Sequence, residues 1–165
     1  PSREVPTLVH QGRVLGQSVA ILLYLDEQFP TVPLFPKSSY ERARVLQLCE
    51  ILNSGVQPVH NLRVLQELEK RFGADQNAKD AWSSFWIHRG MDVLEAELVQ
   101  TAGTYCIGDT ISAADAFLVP GVYNASRFKV SLASYPNVER VYRNCMALDA
   151  VQAAAPEAQP DAPRS

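Results

Sequence analysis

The chain has no excess of positive charge: fifteen Lys and Arg stand against eighteen Asp and Glu, for a net charge of −3. Nothing in that balance suits a phosphate backbone, so nucleic acid is excluded as a partner. No apolar run approaches the ~20 residues of a membrane span. The longest, residues 19–25 (VAILLYL), is interrupted by Tyr24 and belongs to a globular helix. Cysteine is scarce and odd in number: Cys49, Cys106 and Cys145 lie far apart among apolar neighbours, which argues against a disulfide scaffold and for buried thiols in a reducing compartment. Histidine is equally sparse. His10, His60 and His88 share no metal-ligand spacing with one another or with the cysteines, so no metal site is expected. No signal-peptide pattern opens the residues given, and the expectation is a cytoplasmic protein.

What is present is enough apolar residue for a packed core, 47% hydrophobic against 20% charged over 165 residues. Residues 5–9 (VPTLV) and 13–15 (RVL) read as two short strands, with Gly12 supplying the turn. Residues 18–28 read as a helix. Pro30, Pro33 and Pro36 then make a stiff linker. Beyond it the pattern is helical only: 39–54; 57–72 with Pro58 marking a break; 78–100; a fourth helix over GDTISAADAFLVPGVYNASRF; and a fifth over YPNVERVYRNCMALDAV. In the third, Trp82, Phe85, Trp86, Leu94 and Leu98 are expected along one stripe. The Ala- and Pro-rich end reads as a disordered tail. Two strands and one helix cannot bury a sheet by themselves, so a preceding βαβ unit of about 30 residues or more is expected.

Four places carry candidate chemistry. Pro6 heads an apolar strand. A cis Val5–Pro6 bond would turn the backbone of Val5 toward an added peptide, whereas a trans bond makes it an ordinary edge proline. The helix at Ser18 has no acidic residue in its first turn, unlike Ser112-Ala113-Ala114-Asp115, which caps itself. Its free amides and positive end, with Gln17 beside them, suit a carboxylate; the alternative is a plain N-cap beside water. Asn53, Gln57 and Asn61, spaced i, i+4, i+8, share one face if a helix continues through Pro58, with His60 next to them. They are either a ligand's hydrogen-bonding partners or a solvated surface. Arg127 follows a helix expected to end near Asn124, and its apolar neighbours suit a carboxylate clamp, with a helix-terminal cation or a surface ion pair as the alternatives.

In chain order, VPTL, QSVAILLYLDE, GVQPVHNLRVL, YCIGDTISAADAFLVP, NASRFKVSLASYP and QPDAP resemble the zeta-class glutathione transferases, the family of maleylacetoacetate isomerases. The Asp in ISAAD is a general signature of the transferase fold, and NASRFKV is more specific to the zeta class. The resemblance implies the glutathione-transferase fold: a partial thioredoxin-like α/β domain over 1–30, a linker over 31–38, an all-α domain over 39–152 and a tail over 153–165. It implies glutathione as cosubstrate, held by Val5 through a cis-proline backbone, by Gln17 and Ser18 at the helix start, and by Gln57, Asn61, Leu62 and Arg63. It implies that Arg127 grips a substrate carboxylate.

The implied reaction is cis–trans isomerisation of maleylacetoacetate to fumarylacetoacetate, by a homodimer when the protein is full-length. Maleylpyruvate and α-haloacids stay open as substrates. The family's Ser-Ser-Cys-Ser-type stretch, which supports the glutathione thiolate, has no counterpart here. No catalytic residue is therefore assigned within these residues. They alone are expected to be inactive, and a non-catalytic binding module remains the alternative.

Overall fold

The computed structural model describes residues 5–162. Two strands, β1 (Thr7–His10) and β2 (Arg13–Gly16), pair antiparallel with Leu8 opposite Leu15 and Val9 opposite Val14. The turn between them places Gln11 at φ 51° and Gly12 at φ 75°, the left-handed pair that matches the twist of a tight hairpin. Val9 and Val14 are exposed on one face of the hairpin. Helix α1 (Ser18–Gln28) follows and packs on β2.

The linker is pinned near its middle, at Leu34 and Phe35. Asp26 Oδ1 accepts the Leu34 N–H at 2.5 Å, the Leu34 carbonyl accepts Ala113 N–H at 2.9 Å, and Phe35 is buried beneath the Arg42 guanidinium. Three prolines leave the segment little backbone freedom, so few bonds are needed to hold it.

Six further helices form the second part: α2 (Ser39–Asn53), α3 (Leu62–Phe72), α4 (Gln76–Thr101), α5 (Ala113–Arg127), α6 (Pro136–Met146) and α7 (Asp149–Ala153). Helix α2 packs on α5, α5 on α6, and α4 on both α2 and α6. At 26 residues, α4 spans roughly 39 Å and runs the length of the core. Among the described residues no helix is long and apolar enough to cross a membrane.

Several expectations need correction. The buried stripe of α4 is Ser83, Ile87, Gly90, Met91, Leu94 and Leu98. Trp82 and Phe85 are exposed instead, and they make edge contacts with Trp86 on another face. A helix of this length carries more apolar residues than one seam can use, and the small Ser83 and Gly90 mark the close approach. A Cβ built on Gly90 would lie 2.1 Å from Val56 Cγ2. The fifth helix stops at Met146, and α7 is a separate short turn. The tail region holds a 3-10 turn at Pro156–Ala158, where Glu157 accepts the Tyr123 hydroxyl at 2.8 Å.

Two carboxylates organise helix starts. Asp115, 1% exposed, accepts Ser112 N–H (2.8 Å) and Ser112 Oγ–H (3.0 Å) on Oδ2, and Cys106 N–H (2.8 Å) on Oδ1. Helix α6 has no side-chain cap of its own. Glu95 on α4 accepts the backbone N–H of Asn137 and of Val138 at 3.0 Å each, and the Asn137 side-chain amide at 2.7 Å. The three cysteines are buried and unpaired. Burial first, then nearby carboxylates, pushes the Cys49 and Cys145 thiols up to about 12 and Cys106 further in the same direction.

Candidate glutathione and diacid site

The hairpin register sets the first group of residues. Thr7 pairs with Gly16, so Val5–Pro6 and Gln17–Ser18 lie at the same end of the two strands. The Val5–Pro6 bond is cis and Val5 is 92% exposed. Gln17, at φ 71°, turns the chain into α1, and Ser18 is the first helical residue.

Helix α1 differs from the others. It has no acidic residue in its first turn and no side-chain cap. Every other α-helix of the described residues has one or the other: Asn61 Oδ1 caps α3 and Asp75 caps α4, while α2, α5, α6 and α7 carry Glu41, Asp115, Glu139 and Asp149. The first amides of α1 have no intrahelical acceptor and no first-turn acid of its own offsets the helix's positive end, a setting that favours an anion.

The second group sits between α2 and α3, where the expected shared helical face does not form. Helix α2 ends at Asn53, Gln57–Val59 is a 3-10 turn, and α3 begins at Leu62. Pro58 lacks the N–H that a continuous helix needs there, so the three amides do not line up. Asn53 bonds its own helix neighbour Glu50 at 3.1 Å. Gln57 is exposed, and Asn61 spends its side-chain oxygen on Val64 N–H at 3.2 Å, leaving its NH₂ group. Leu62 and Arg63 are exposed on the first turn of α3.

Arg127 is the last residue of α5 and does not follow an end near Asn124. Its surroundings are mixed, with Leu62, Leu65 and Phe128 beside charged and amide side chains. It lines a groove of about 420 Å³ with Leu62, Gln66, Glu69, Gln76, Lys79, Asp80 and Phe128. Lys79 is paired with Glu69 at 2.7 Å, and Asp80 accepts from Gln76 at 2.7 Å. Among the described residues no carboxylate lies within ion-pair distance of Arg127. Of the predicted residues, the groove thus joins Leu62 and Arg127. Val5, Gln17 and Ser18 form the separate cluster at the hairpin end.

Sequence reasoning placed His60 only beside its neighbours. In the structure it is buried and doubly bonded, with Nδ1 2.7 Å from the Val56 carbonyl and Nε2 2.6 Å from the Asn124 side-chain amide. Burial lowers its pKa, against the opposing pull of the Val56 carbonyl, so the ring is neutral. The carbonyl then takes the Nδ1 proton, and Nε2 accepts from Asn124. Trp82 Nε1 donates to the Val59 carbonyl at 2.7 Å and ties the same turn to α4.

Comparison with known proteins gives the class first. Residues 1–33 match the family model of the glutathione S-transferase N-terminal domain, and residues 86–149 match that of its C-terminal domain. The chain is 42% identical over 162 residues to a maleylacetoacetate isomerase of Dictyostelium discoideum, covering 98% of this chain and 74% of that one. It is 44% identical over 163 residues to a maleylpyruvate isomerase of Ralstonia sp, covering 98% and 77%.

Among solved structures, a maleylpyruvate isomerase described as a bacterial zeta-class transferase superposes with a TM-score of 0.93 at 44% identity, covering 97% of this chain and 76% of that one. A maleylacetoacetate isomerase from Anaeromyxobacter dehalogenans, solved with glutathione in its active site, gives 0.91 at 42%, covering 99% and 76%. The chain belongs to the zeta-class glutathione transferases, the family of the maleylacetoacetate isomerases.

Proposed function

We propose that this protein carries out glutathione-dependent cis–trans isomerisation of a conjugated diacid, with maleylacetoacetate as substrate and fumarylacetoacetate as product. Glutathione supplies a thiolate that adds reversibly to the cis double bond, allows rotation about it, and leaves from the trans isomer. The chain's own residues bind and orient. Ser18, Gln17 and the free amides of α1 hold the γ-glutamyl carboxylate at the one α-helix start, among the described residues, with neither a first-turn acid nor a side-chain cap. The exposed backbone of Val5 pairs with the cysteinyl backbone as an added strand would. Gln57, the Asn61 NH₂ group, Leu62 and Arg63 border the tripeptide from the helical side.

The observation that carries the diacid reading is Arg127, a groove-lining guanidinium for which no described carboxylate serves as partner, two residues from the left-handed Lys129 that ends its helix. Its planar fork suits a carboxylate through two parallel hydrogen bonds. Maleylpyruvate is the second reading, on the 44% identity to the Ralstonia maleylpyruvate isomerase; both substrates offer a cis double bond beside a carboxylate. Steady-state kinetics of Arg127→Ala test the proposal. The variant loses about 2–4 kcal/mol in kcat/KM toward the diacid and keeps its affinity for glutathione. An unchanged kcat/KM for both diacids would remove Arg127 from the site.

A further inference from the structure

Arg127 is held between two contacts that lead to one side chain. Asn124, one turn earlier on α5, donates to His60 Nε2 at 2.6 Å. Phe128, the next residue, meets the His60 ring edge-on at 5.7 Å between centroids and 77° between planes. The other face of the imidazole is anchored to the chain that carries Gln57 and Asn61, since Nδ1–H donates to the Val56 carbonyl at 2.7 Å. Val56 is itself locked against α4 at Gly90, and Val59 is tied there through Trp82. We infer that His60 is a positioning residue. It bridges the Gln57–Asn61 turn to the end of α5 and so fixes where the Arg127 guanidinium stands relative to the glutathione-bordering turn.

A guanidinium at a helix terminus is free in its side chain and in the fraying last turn of its backbone. Beyond Arg127 the chain turns left-handed at Lys129, φ 58°, and the last amides fold back, with Phe128 N–H on the Ala125 carbonyl at 3.1 Å and Val130 N–H on the same oxygen at 3.0 Å. Those bonds shape the turn locally, and tertiary contacts fix it against the rest of the fold. His60 supplies one on each side of Arg127. An imidazole suits the task because its two nitrogens are rigidly opposed: one donates to the turn while the other accepts from the helix.

The inference rests on the diacid reading, and the test separates the two. His60→Asn puts an amide near the Nδ1 position, keeping the Val56 bond and losing Asn124. His60→Gln puts an amide oxygen near the Nε2 position and keeps Asn124. Kinetics are measured with glutathione and two acceptors, maleylacetoacetate and the uncharged dimethyl maleate, for both variants and for Arg127→Ala. His60→Asn is expected to lower kcat/KM for the diacid about tenfold, mainly through KM, with the diester within about twofold; His60→Gln is expected to recover most of the loss. Hydrogen exchange at the amides of Phe128 and Val130 reads the positioning without turnover: faster in His60→Asn, near the parent rate in His60→Gln.

Selective loss in Arg127→Ala combined with equal loss of both acceptors in His60→Asn would make His60 a structural residue only and overturn the inference. Equal loss of both acceptors in Arg127→Ala would overturn the diacid reading instead. The exchange rates would still decide for or against His60, and unchanged exchange in His60→Asn rejects it.

Discussion

Asp115→Ala should be among the most damaging single changes in the helical part. The carboxylate is 1% exposed and, among the described residues, no cation pairs with it; it is held by donors, the Cys145 thiol included. Removing it strands the N–H of Cys106 and the N–H of Ser112 in a site water does not reach. Each buried N–H without a partner costs about 1–3 kcal/mol, and the Ser112 hydroxyl can rotate toward another acceptor, so the expected loss is about 3–5 kcal/mol. That is a large share of the 5–15 kcal/mol by which domains are usually stable, as an order of magnitude.

Asparagine separates charge and geometry from mere volume. Its oxygen can face Ser112 or Cys106 but not both, so its NH₂ group meets one N–H head-on. The cost is about 2–4 kcal/mol despite near-identical shape. Ser112→Ala, which removes one hydroxyl donor, should cost only about 1 kcal/mol. Urea unfolding followed by tryptophan fluorescence, with Trp82 and Trp86 as reporters, gives all three values. An Asp115→Asn variant with the parent's midpoint and slope would refute this reasoning, since the two side chains share a shape and differ only in charge and in their donors and acceptors.

Gly90→Ala drives a methyl to 2.1 Å from buried Val56 and should cost roughly 1–3 kcal/mol, read as a lower Tm. The three thiols, raised by burial to about 12 for Cys49 and Cys145, should not react with a disulfide reagent in the native protein near neutral pH and should react together on unfolding; rapid native labelling of any one would contradict the packing. His60 has a folded pKa below its ordinary 6.5, so the unfolded chain binds a proton the folded one refuses. Stability therefore falls as pH drops below 6.5 toward the folded value, and His60→Gln should flatten that fall in urea melts made on either side of it.

Punctuation made much of this architecture readable in advance. Ser18 to Gln28 was bounded by turn chemistry before it and Pro30 after it, and Pro58 marked the break between α2 and α3. The exceptions share a cause: they depend on residues far away in the chain. Trp82, Phe85 and Trp86 fit a helical period, yet the buried face belongs to Ser83 and Gly90, where neighbours approach too closely for an aromatic ring. His60 looked like one polar residue among others because its partner is 64 positions away. The cis Val5–Pro6 bond and the helix without its own acid left local signals at Pro6 and Ser18, but these fitted an edge proline and a plain N-cap equally, and only the family resemblance chose between the readings. The surroundings of Arg127 were not legible, because the groove draws on three helices.

Glu95 has a mechanical consequence. Packed helices commonly relieve damage by shear, sliding a fraction of an ångström along one another until a gap closes. Helix α6 is denied that relief against α4, because the first donors of its opening turn are fastened to a carboxylate on α4. A methyl removed from beneath it, at Val138 or Val141, should therefore leave a hole that keeps its shape. The helix could descend into it only by unfastening its own beginning.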